Sequence, residues 1–171
     1  TGVDDDDDYN FLARFVDTVA GAGCTVFIVH ARKAILTGLS PAQNRTIPAL
    51  DWTRAARLKA DFPQLTIVVN GGLDNSIDVH DQLRCVDGVM LGRAVYHNPW
   101  LLTELERAVF GTPAPSSRHL ALTQLFPYVE QELEAGARLH AIARHLHGLF
   151  NGCPGARRFR RHLSENSHRA L

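Results

Sequence analysis

The sequence has few cysteines and no long apolar run, and both absences narrow its class. Its 171 residues include three cysteines, Cys24, Cys85 and Cys153, and none belongs to a CxxC pair. This sparse, odd number argues against a disulfide scaffold and favours a reducing, cytoplasmic setting. No stretch reaches the roughly 18 apolar residues of a membrane-spanning helix, so no membrane partner is expected. GxSxG, Walker A and GxGxxG motifs are also absent.

Lysine is the other scarce residue, because Lys33 and Lys59 are the only two beside 16 arginines. The formal net charge is zero, yet residues 1–29 carry six acids and one base, whereas residues 116–171 carry eight bases and four acids. Arginine binds phosphate through a bidentate fork, so an arginine-rich basic end indicates an anionic partner such as nucleic acid. A GC-rich coding bias would give the same composition, and composition alone leaves both explanations open.

Helical patterns alternate with short apolar runs over the first 91 residues. Asp4–Asp8 precede an amphipathic helix as its cap and first turn, since acids favour a helix N-terminus. Apolar runs at 25–29, 66–69 and 88–91 predict strands buried on both faces, with helices at 51–60 and 75–83 between them. This order predicts a parallel α/β sheet with crossover helices. The long connection 30–49 is of the length that is usually functional.

Strand patterns end after Arg93, and the rest of the sequence is helical. Residues 100–110 form an amphipathic pattern, and 111–117 have the composition of a linker. Further helices are expected at about 118–135, 138–150 and 155–165. We therefore expect a first domain at 1–112 and a second, all-helical domain at 113–171.

Polar residues and glycines follow all three predicted strands. In parallel α/β folds, ligands bind at the carboxyl ends of the strands. Glycines there allow backbone N–H groups to approach a phosphate, and an arginine adds charge. Each motif alone could equally be a tight turn, but together they favour a phosphate-bearing ligand. The residues are His30, Asn70, Gly71, Gly72, Gly92 and Arg93.

The histidines give no metal-site pattern. His30 has no second ligand at a useful spacing, and no metal site is expected. His140, His145 and His147 lie on one predicted helix, where a solvated face is favoured over a zinc site.

Four arginines stand within five positions at the start of the last predicted helix. Arg157 and Arg160, like Arg158 and Arg161, are spaced i, i+3 and share a helix face. A solvated face explains this pattern, but cations are unfavourable at a helix N-terminus. Contact with the phosphates of a nucleic acid is therefore the preferred interpretation.

Four long ungapped segments resemble the tRNA-dihydrouridine synthase family, and its bacterial A-type members most closely. They are HARKAILTGLSPAQNRTIPAL (30–50), VVNGGL (68–73), DGVMLGRAVYHNPWLL (87–102) and GLFNGCPGARRFRRHLSENSH (148–168). The resemblance covers nearly the whole chain. It implies the C-terminal part of a flavin-binding TIM (β/α)8 barrel, with about three strands, followed by an all-helical tRNA-binding domain.

The resemblance also implies roles for single residues. His30, Asn70, Gly71, Gly72, Gly92 and Arg93 would bind flavin mononucleotide (FMN). Arg45, Arg157 and Arg160 would contact tRNA. Arg32 and Lys33 face the same barrel mouth and are further candidates for phosphate or RNA contact. Ala42 departs from the family, which often has a basic residue there.

The resemblance further implies parts that the sequence lacks. The family's general acid is a cysteine on an earlier segment, and none of Cys24, Cys85 and Cys153 matches it. Five further strands would precede Thr1, and the family usually continues past Leu171. A fragment missing both ends, inactive by itself, is therefore expected.

The resulting functional hypothesis is an FMN-dependent oxidoreductase that reduces the C5–C6 bond of D-loop uridines in tRNA, with NADPH as reductant. tRNA is the expected partner, and no obligate protein partner is evident. Two alternatives remain: another FMN-dependent barrel oxidoreductase, and an RNA-binding fragment without catalysis.

Overall fold

The structure is a computed structural model that describes residues 1–5 and 8–168. Its named elements alternate between helix and strand up to the third strand, and later ones are helical. The first part contains α1 (Tyr9–Gly21), β1 (Val26–His30), α2 (Pro41–Asn44), α3 (Thr53–Asp61), β2 (Thr66–Asn70), α4 (Ser76–Leu83) and β3 (Gly88–Met90). The second contains α5 (Arg93–His97), α6 (Leu101–Leu105), a π-helix (Glu106–Phe110), α7 (Arg118–Gln124), α8 (Phe126–Glu134), α9 (Leu139–Ala143), a 3₁₀ turn (Arg144–Leu146) and α10 (Ala156–Asn166).

The chain divides into two compact units, Thr1–Gly92 and Arg93–Leu171. The expected domain boundary lies later, between residues 112 and 113. The difference concerns α5, α6 and the π-helix, which cluster with the later helices. The two-domain division at 112/113 remains a prediction.

The three strands form one parallel sheet in the order β1-β2-β3. Val26 pairs with Thr66 and His30 with Asn70, so β1 and β2 are paired along their whole length. Val68 pairs with Gly88 at the start of β3. The α/β class with parallel strands is thereby confirmed, and it is consistent with part of a β/α barrel.

The core of the first unit lies under one face of the sheet. Ile67 and Val69 of β2 are fully buried, as are Ala55 and Leu58 of α3. The opposite face is open, and on β1 Ile28 is 58% exposed. The expectation that the strands are buried on both faces is therefore wrong. Crossover helices cover only the face from which Phe27, Val29, Ile67 and Val69 project.

Local sequence signals position α1 and α4 as expected. Asp8 caps α1 by accepting a hydrogen bond from the Phe11 N–H, and Asn75 caps α4 through the Asp78 N–H at 2.9 Å. The expectation that the aspartates also form the first turn of α1 is wrong, because the helix begins at Tyr9 and has no acid in its first turn. Asp6 and Asp7 lie outside the described residues.

The amino ends of β2 and β3 are joined to α3 through one lysine. Lys59 Nζ lies 2.9 Å from Asp87 Oδ1 and donates to the carbonyls of Pro63 and Leu65, both at 2.9 Å. Asp87 Oδ2 accepts from the Ile67 N–H at 2.8 Å. That backbone hydrogen bond, and then the Lys59 ammonium, hold the pKa of Asp87 below its usual value. This network lies at the opposite end of the strands from His30 and Asn70.

In the second unit, two segments expected to be continuous helices are divided. The segment 118–135 separates at Leu125 into α7 and α8, where Pro127 occupies the first turn of α8. The segment 138–150 is α9 followed by the 3₁₀ turn. Proline removes a backbone donor and 3₁₀ winding changes the period, so one helical repeat does not persist through these segments.

Within the described residues, no helix is long and apolar enough to cross a membrane.

Candidate functional site

The carboxyl ends of β1 and β2 bring four of the expected site residues together. His30 and Asn70 end these strands and pair across the sheet. The Ala31 N–H donates to the Asn70 carbonyl at 2.7 Å, which extends the pairing beyond the strands. Gly71 and Gly72 follow directly, so the residues after both strands lie at one edge of the sheet.

Gly71 and Gly72 adopt backbone conformations that other residues disfavour, with φ of +106° and +75°. A Cβ added to Gly71 would lie 3.1 Å from His30 Cε1, and one added to Gly72 would lie 2.2 Å from Leu50 Cδ1. Glycine therefore permits both the turn and the close approach of the His30 ring. The backbone of Gly71 therefore borders one side of the His30 ring.

The N–H groups of these two glycines are available to a ligand. Within the residues that the structure describes, neither Gly71 nor Gly72 donates a backbone hydrogen bond outside the strands. Successive N–H groups in such a turn form a concavity that attracts anions. The turn therefore fits the phosphate of a cofactor.

A tryptophan that the sequence analysis did not single out fixes the position of this turn. Trp52 Nε1 donates to the Gly71 carbonyl at 2.8 Å. The Asp51 N–H donates to the Ala31 carbonyl at 2.8 Å. These two bonds join the end of the long connection to the residues following β1 and β2. The only sequence signal was the position of Trp52 between that connection and α3.

Asp51 is in turn held by the start of α3. Its carboxylate accepts hydrogen bonds from the Thr53 hydroxyl and from Arg54 Nε, the latter at 2.9 Å. The Thr53 hydroxyl is the main cause that lowers the pKa of Asp51, and the Arg54 guanidinium also lowers it. Asp51 is therefore a structural carboxylate that orients the site's edge.

A cleft of about 520 Å³ is lined by His30 and by the basic residues of the long connection. Arg32, Lys33 and Arg45 line it, and no acidic residue is among the described residues that do so. Arg45 follows α2, whose start is fixed by reciprocal hydrogen bonds between Ser40 and Gln43. The cleft thus combines a cationic rim with the apolar side chains of α1, Phe11, Leu12 and Phe15.

Arg32 lines this cleft with a guanidinium group that is only partly paired within the protein. One guanidinium nitrogen donates to the Pro48 carbonyl. Its Nε is buried and has no hydrogen-bond partner among the residues described. Buried N–H groups are rarely left unpaired, so a ligand acceptor would complete this arginine. Lys33 Nζ donates to the Asp4 carbonyl at 3.3 Å, which holds it at the same cleft.

The other expected site residues are distributed along the chain. Gly92 is exposed and follows β3 in the first unit, while Arg93 is the first residue of α5 in the second unit. Arg157 and Arg160 lie on α10, where Arg157 is exposed and Arg160 Nη1 donates to Asn151 Oδ1 at 2.9 Å. The cofactor role of Gly92 and Arg93 and the tRNA role of Arg157 and Arg160 remain predictions.

The three cysteines lie at separate positions along the chain. Cys24 precedes β1 at its amino end, Cys85 is exposed after α4, and Cys153 is half-buried before α10. None lines the cleft among the described residues.

Comparison with known proteins identifies relatives over nearly the whole chain. The sequence profile of the family described as dihydrouridine synthase matches residues 1–170. The tRNA-dihydrouridine(20/20a) synthase of Salmonella typhimurium is 50% identical over 171 residues, which are 99% of this chain and 52% of the relative. The Yersinia pestis protein of the same name is 51% identical over 98% of this chain and 49% of its own length.

The protein of that name from Escherichia coli K12 is 48% identical over 99% of this chain and 50% of its own length. The chain therefore spans about half the length of the curated relatives it matches.

Proposed function

The chain belongs to the dihydrouridine synthase family, and from this premise we propose that it forms part of an FMN-dependent tRNA-dihydrouridine synthase acting in the cytoplasm. The observation that carries the proposal is the meeting of His30, Gly71 and Gly72 at the carboxyl ends of two paired strands. Relatives about 50% identical, each named a tRNA-dihydrouridine(20/20a) synthase, support tRNA as the substrate.

The residues present fit FMN. Its phosphate would be held by the N–H groups of Gly71 and Gly72, with Asn70, Gly92 and Arg93 contributing. His30 would contact the flavin. When bound, FMN supplies the hydride that reduces the C5–C6 bond of a D-loop uridine, and NADPH restores its reduced form.

The cleft lined by Arg32, Lys33 and Arg45 would bind the RNA. A uridine must leave its base stack to be reduced, so the phosphates flanking it need cations at the mouth of the site. Arg45 would make this contact, and its position beside Arg32 and Lys33 in the lining of one cleft supports the proposal. The cleft volume of about 520 Å³ lies in the range typical of ligand sites.

The general acid that protonates C5 would be a cysteine that this chain does not supply. None of Cys24, Cys85 and Cys153 is among the described residues that line the cleft. We therefore expect the 171-residue chain to form no dihydrouridine by itself when given tRNA, FMN and NADPH.

A chimera tests the proposal directly. This chain replaces the matching 52% of the Salmonella relative, and the product is incubated with unmodified tRNA and NADPH. We expect flavin in the purified chimera and dihydrouridine in the D-loop by mass spectrometry. Replacing His30 by Ala in the chimera should lower its flavin content, whereas Cys85→Ser, a matched change at an exposed position, should not.

The possible outcomes separate the alternatives. A flavin-loaded chimera that oxidises NADPH without modifying tRNA would indicate another flavin oxidoreductase. A folded chimera that binds tRNA but no flavin would indicate an RNA-binding module without catalysis. Either result would contradict the proposal.

A further inference from the structure

A second pocket, of about 420 Å³ and polar in character, lies in the second unit, and of the residues to which a ligand role is assigned above it includes Arg160. We call it the histidine–arginine pocket. It is lined by His97, Arg144, His145, His147, Asn151 and Arg160.

Local backbone geometry builds this pocket. After α9, the 3₁₀ turn Arg144–Leu146 has about three residues per turn, so Arg144 and His147 project from nearly the same side. A single helix through this segment would separate them by a further rotation. The change of helix type therefore brings Arg144 to the same pocket as His147, a histidine that the sequence pattern assigns to a solvated face.

Close packing fixes the opposite wall. A Cβ on Gly148 would lie 2.3 Å from the His97 carbonyl oxygen, so glycine is required at this contact. Asn151 Nδ2 donates to the same carbonyl, and Arg160 Nη1 donates to Asn151 Oδ1 at 2.9 Å. Arg160 is thus held in place by an amide that is itself anchored to the end of α5.

The charge in this pocket is not balanced by protein. None of the described residues that line it is acidic. The side chains of Arg144 and His147 make no hydrogen bond or ion pair within residues 8–168. His145 Nδ1 lies 3.1 Å from the Tyr96 hydroxyl, which orients that imidazole. Two guanidinium groups and three imidazoles around one cavity favour an anion, because they supply hydrogen-bond donors to it.

We propose that the histidine–arginine pocket binds a phosphate group of the tRNA backbone. Arginine presents a planar fork of donors that matches phosphate oxygens, and Arg160 keeps donors beyond the one used by Asn151. The identification of tRNA as the source of the phosphate rests on the proposed function. A free phosphate ion shares the chemistry, and the experiment distinguishes the two sources.

The first measurement uses inorganic phosphate and the full 171-residue chain. Imidazole resonances are recorded by NMR during a phosphate titration at constant ionic strength, and they are assigned with single His→Gln variants. We expect saturable shifts for His97, His145 and His147, and none for His80, an exposed histidine on α4 in the other unit. Arg144→Ala should abolish the shifts.

The second measurement is tRNA affinity as a function of salt. Arg144→Ala should weaken binding about tenfold and reduce the slope of log K against log salt by about one. Arg144→Lys should recover the slope but only part of the affinity, because lysine lacks the bidentate geometry. The matched control is Arg161→Ala, which removes the same charge from a residue outside the pocket that pairs with Glu165 at 2.7 Å.

Each result decides between the claims. Unmoved imidazole resonances, together with unchanged tRNA affinity in Arg144→Ala, would overturn the pocket while leaving tRNA binding elsewhere intact. Saturable phosphate shifts without any tRNA binding would overturn tRNA as the source and count against the proposed function. Equal losses in Arg144→Ala and Arg161→Ala would overturn the pocket as a specific site, because net charge alone would then explain them.

Discussion

At the scale of single residues, the turn after β2 carries the most specific constraint in the first unit. Gly71 and Gly72 both lie at positive φ, and Gly71 faces the His30 ring. Trp52 holds the turn through the Gly71 carbonyl. The turn is therefore fixed by its own backbone and by one indole.

Replacing Gly71 by Ala should separate backbone strain from ligand binding. The variant should lose about 1–3 kcal/mol of unfolding free energy through its positive φ. Its FMN affinity should also fall about tenfold, the equivalent of one lost hydrogen bond to a charged group. Urea unfolding and flavin fluorescence titration measure the two effects.

Gly23→Ala is the matched control for this prediction. Gly23 has φ of +101° in the same unit and has no atom within 4 Å of an added Cβ. It should lose similar stability and keep its FMN affinity. Equal FMN affinities in the two variants would show that the turn after β2 does not hold the cofactor.

At the scale of elements, the two ends of the sheet perform different tasks. The carboxyl ends carry His30 and Asn70, whereas the amino ends are fastened by Lys59 and Asp87. Lys59 also bonds two carbonyls in the connection between α3 and β2. The fastening of the sheet is thus independent of the residues proposed to bind ligands.

Asp87→Asn should lower stability in a pH-dependent way. The pKa of Asp87 is lowered in the folded protein by the Ile67 N–H and by Lys59, so its carboxylate stabilises the fold above the unfolded carboxyl value of about 3.9. This contribution is lost as the pH falls through the folded pKa. Urea midpoints should therefore differ between wild type and variant near neutral pH and converge in acid.

The exposed Asp74 supplies the control for this titration. The urea midpoint of Asp74→Asn should stay close to that of wild type at every pH. A difference in urea midpoint between wild type and Asp87→Asn that stays constant from neutral to acidic pH would contradict an electrostatic role for Asp87.

α10 is the element with the densest positive charge. Replacing Arg157 and Arg160 together by Ala should weaken tRNA binding and flatten the salt dependence of log K by about one to two, since each neutralised phosphate contributes about one. FMN content should not change. The control is the double variant Arg158→Ala/Arg161→Ala, which has the same spacing and charge loss on the same helix. Identical salt slopes for both double variants and wild type would indicate a solvated helix.

At the scale of the whole molecule, the sheet has one uncovered face. Val26 and Ile28 on β1 are 53% and 58% exposed although the alternate residues Phe27 and Val29 are buried, and Met90 on β3 is 43% exposed. Exposed apolar surface of this kind favours association, and β1 also forms a free edge of the sheet. The face matches the one that a complete β/α barrel would enclose.

The 171-residue chain should therefore self-associate when isolated, and Ile28→Thr should reduce this association. Threonine keeps the β-branched shape that suits a strand and removes apolar surface. Sedimentation velocity at several concentrations measures the effect. Leu36→Thr, a matched change at an exposed position outside the sheet, should leave the association unchanged. A stable wild-type monomer at every concentration would contradict the prediction.

The sequence by itself determined the order of the strands and crossover helices in the first unit, and the edge of the sheet at which His30 and Asn70 meet. Short apolar runs and caps such as Asp8 and Asn75 act through neighbouring residues, so their structure follows from local chemistry. Ligands bind at the carboxyl ends of parallel strands, which lie at one edge of a sheet. This rule is sufficient to predict that His30, Asn70, Gly71 and Gly72 lie together at that edge.

Only the tertiary structure decided which partners these residues have. The Trp52–Gly71 bond joins residues 19 apart, and the Lys59–Asp87 pair joins α3 to the start of β3. The same holds for burial, because apolar runs look alike whether one or both faces of a strand are covered. The histidine–arginine pocket depends on a local change from α to 3₁₀ winding, which rotates Arg144 and His147 to one side in a way that a single 3.6-residue period does not describe.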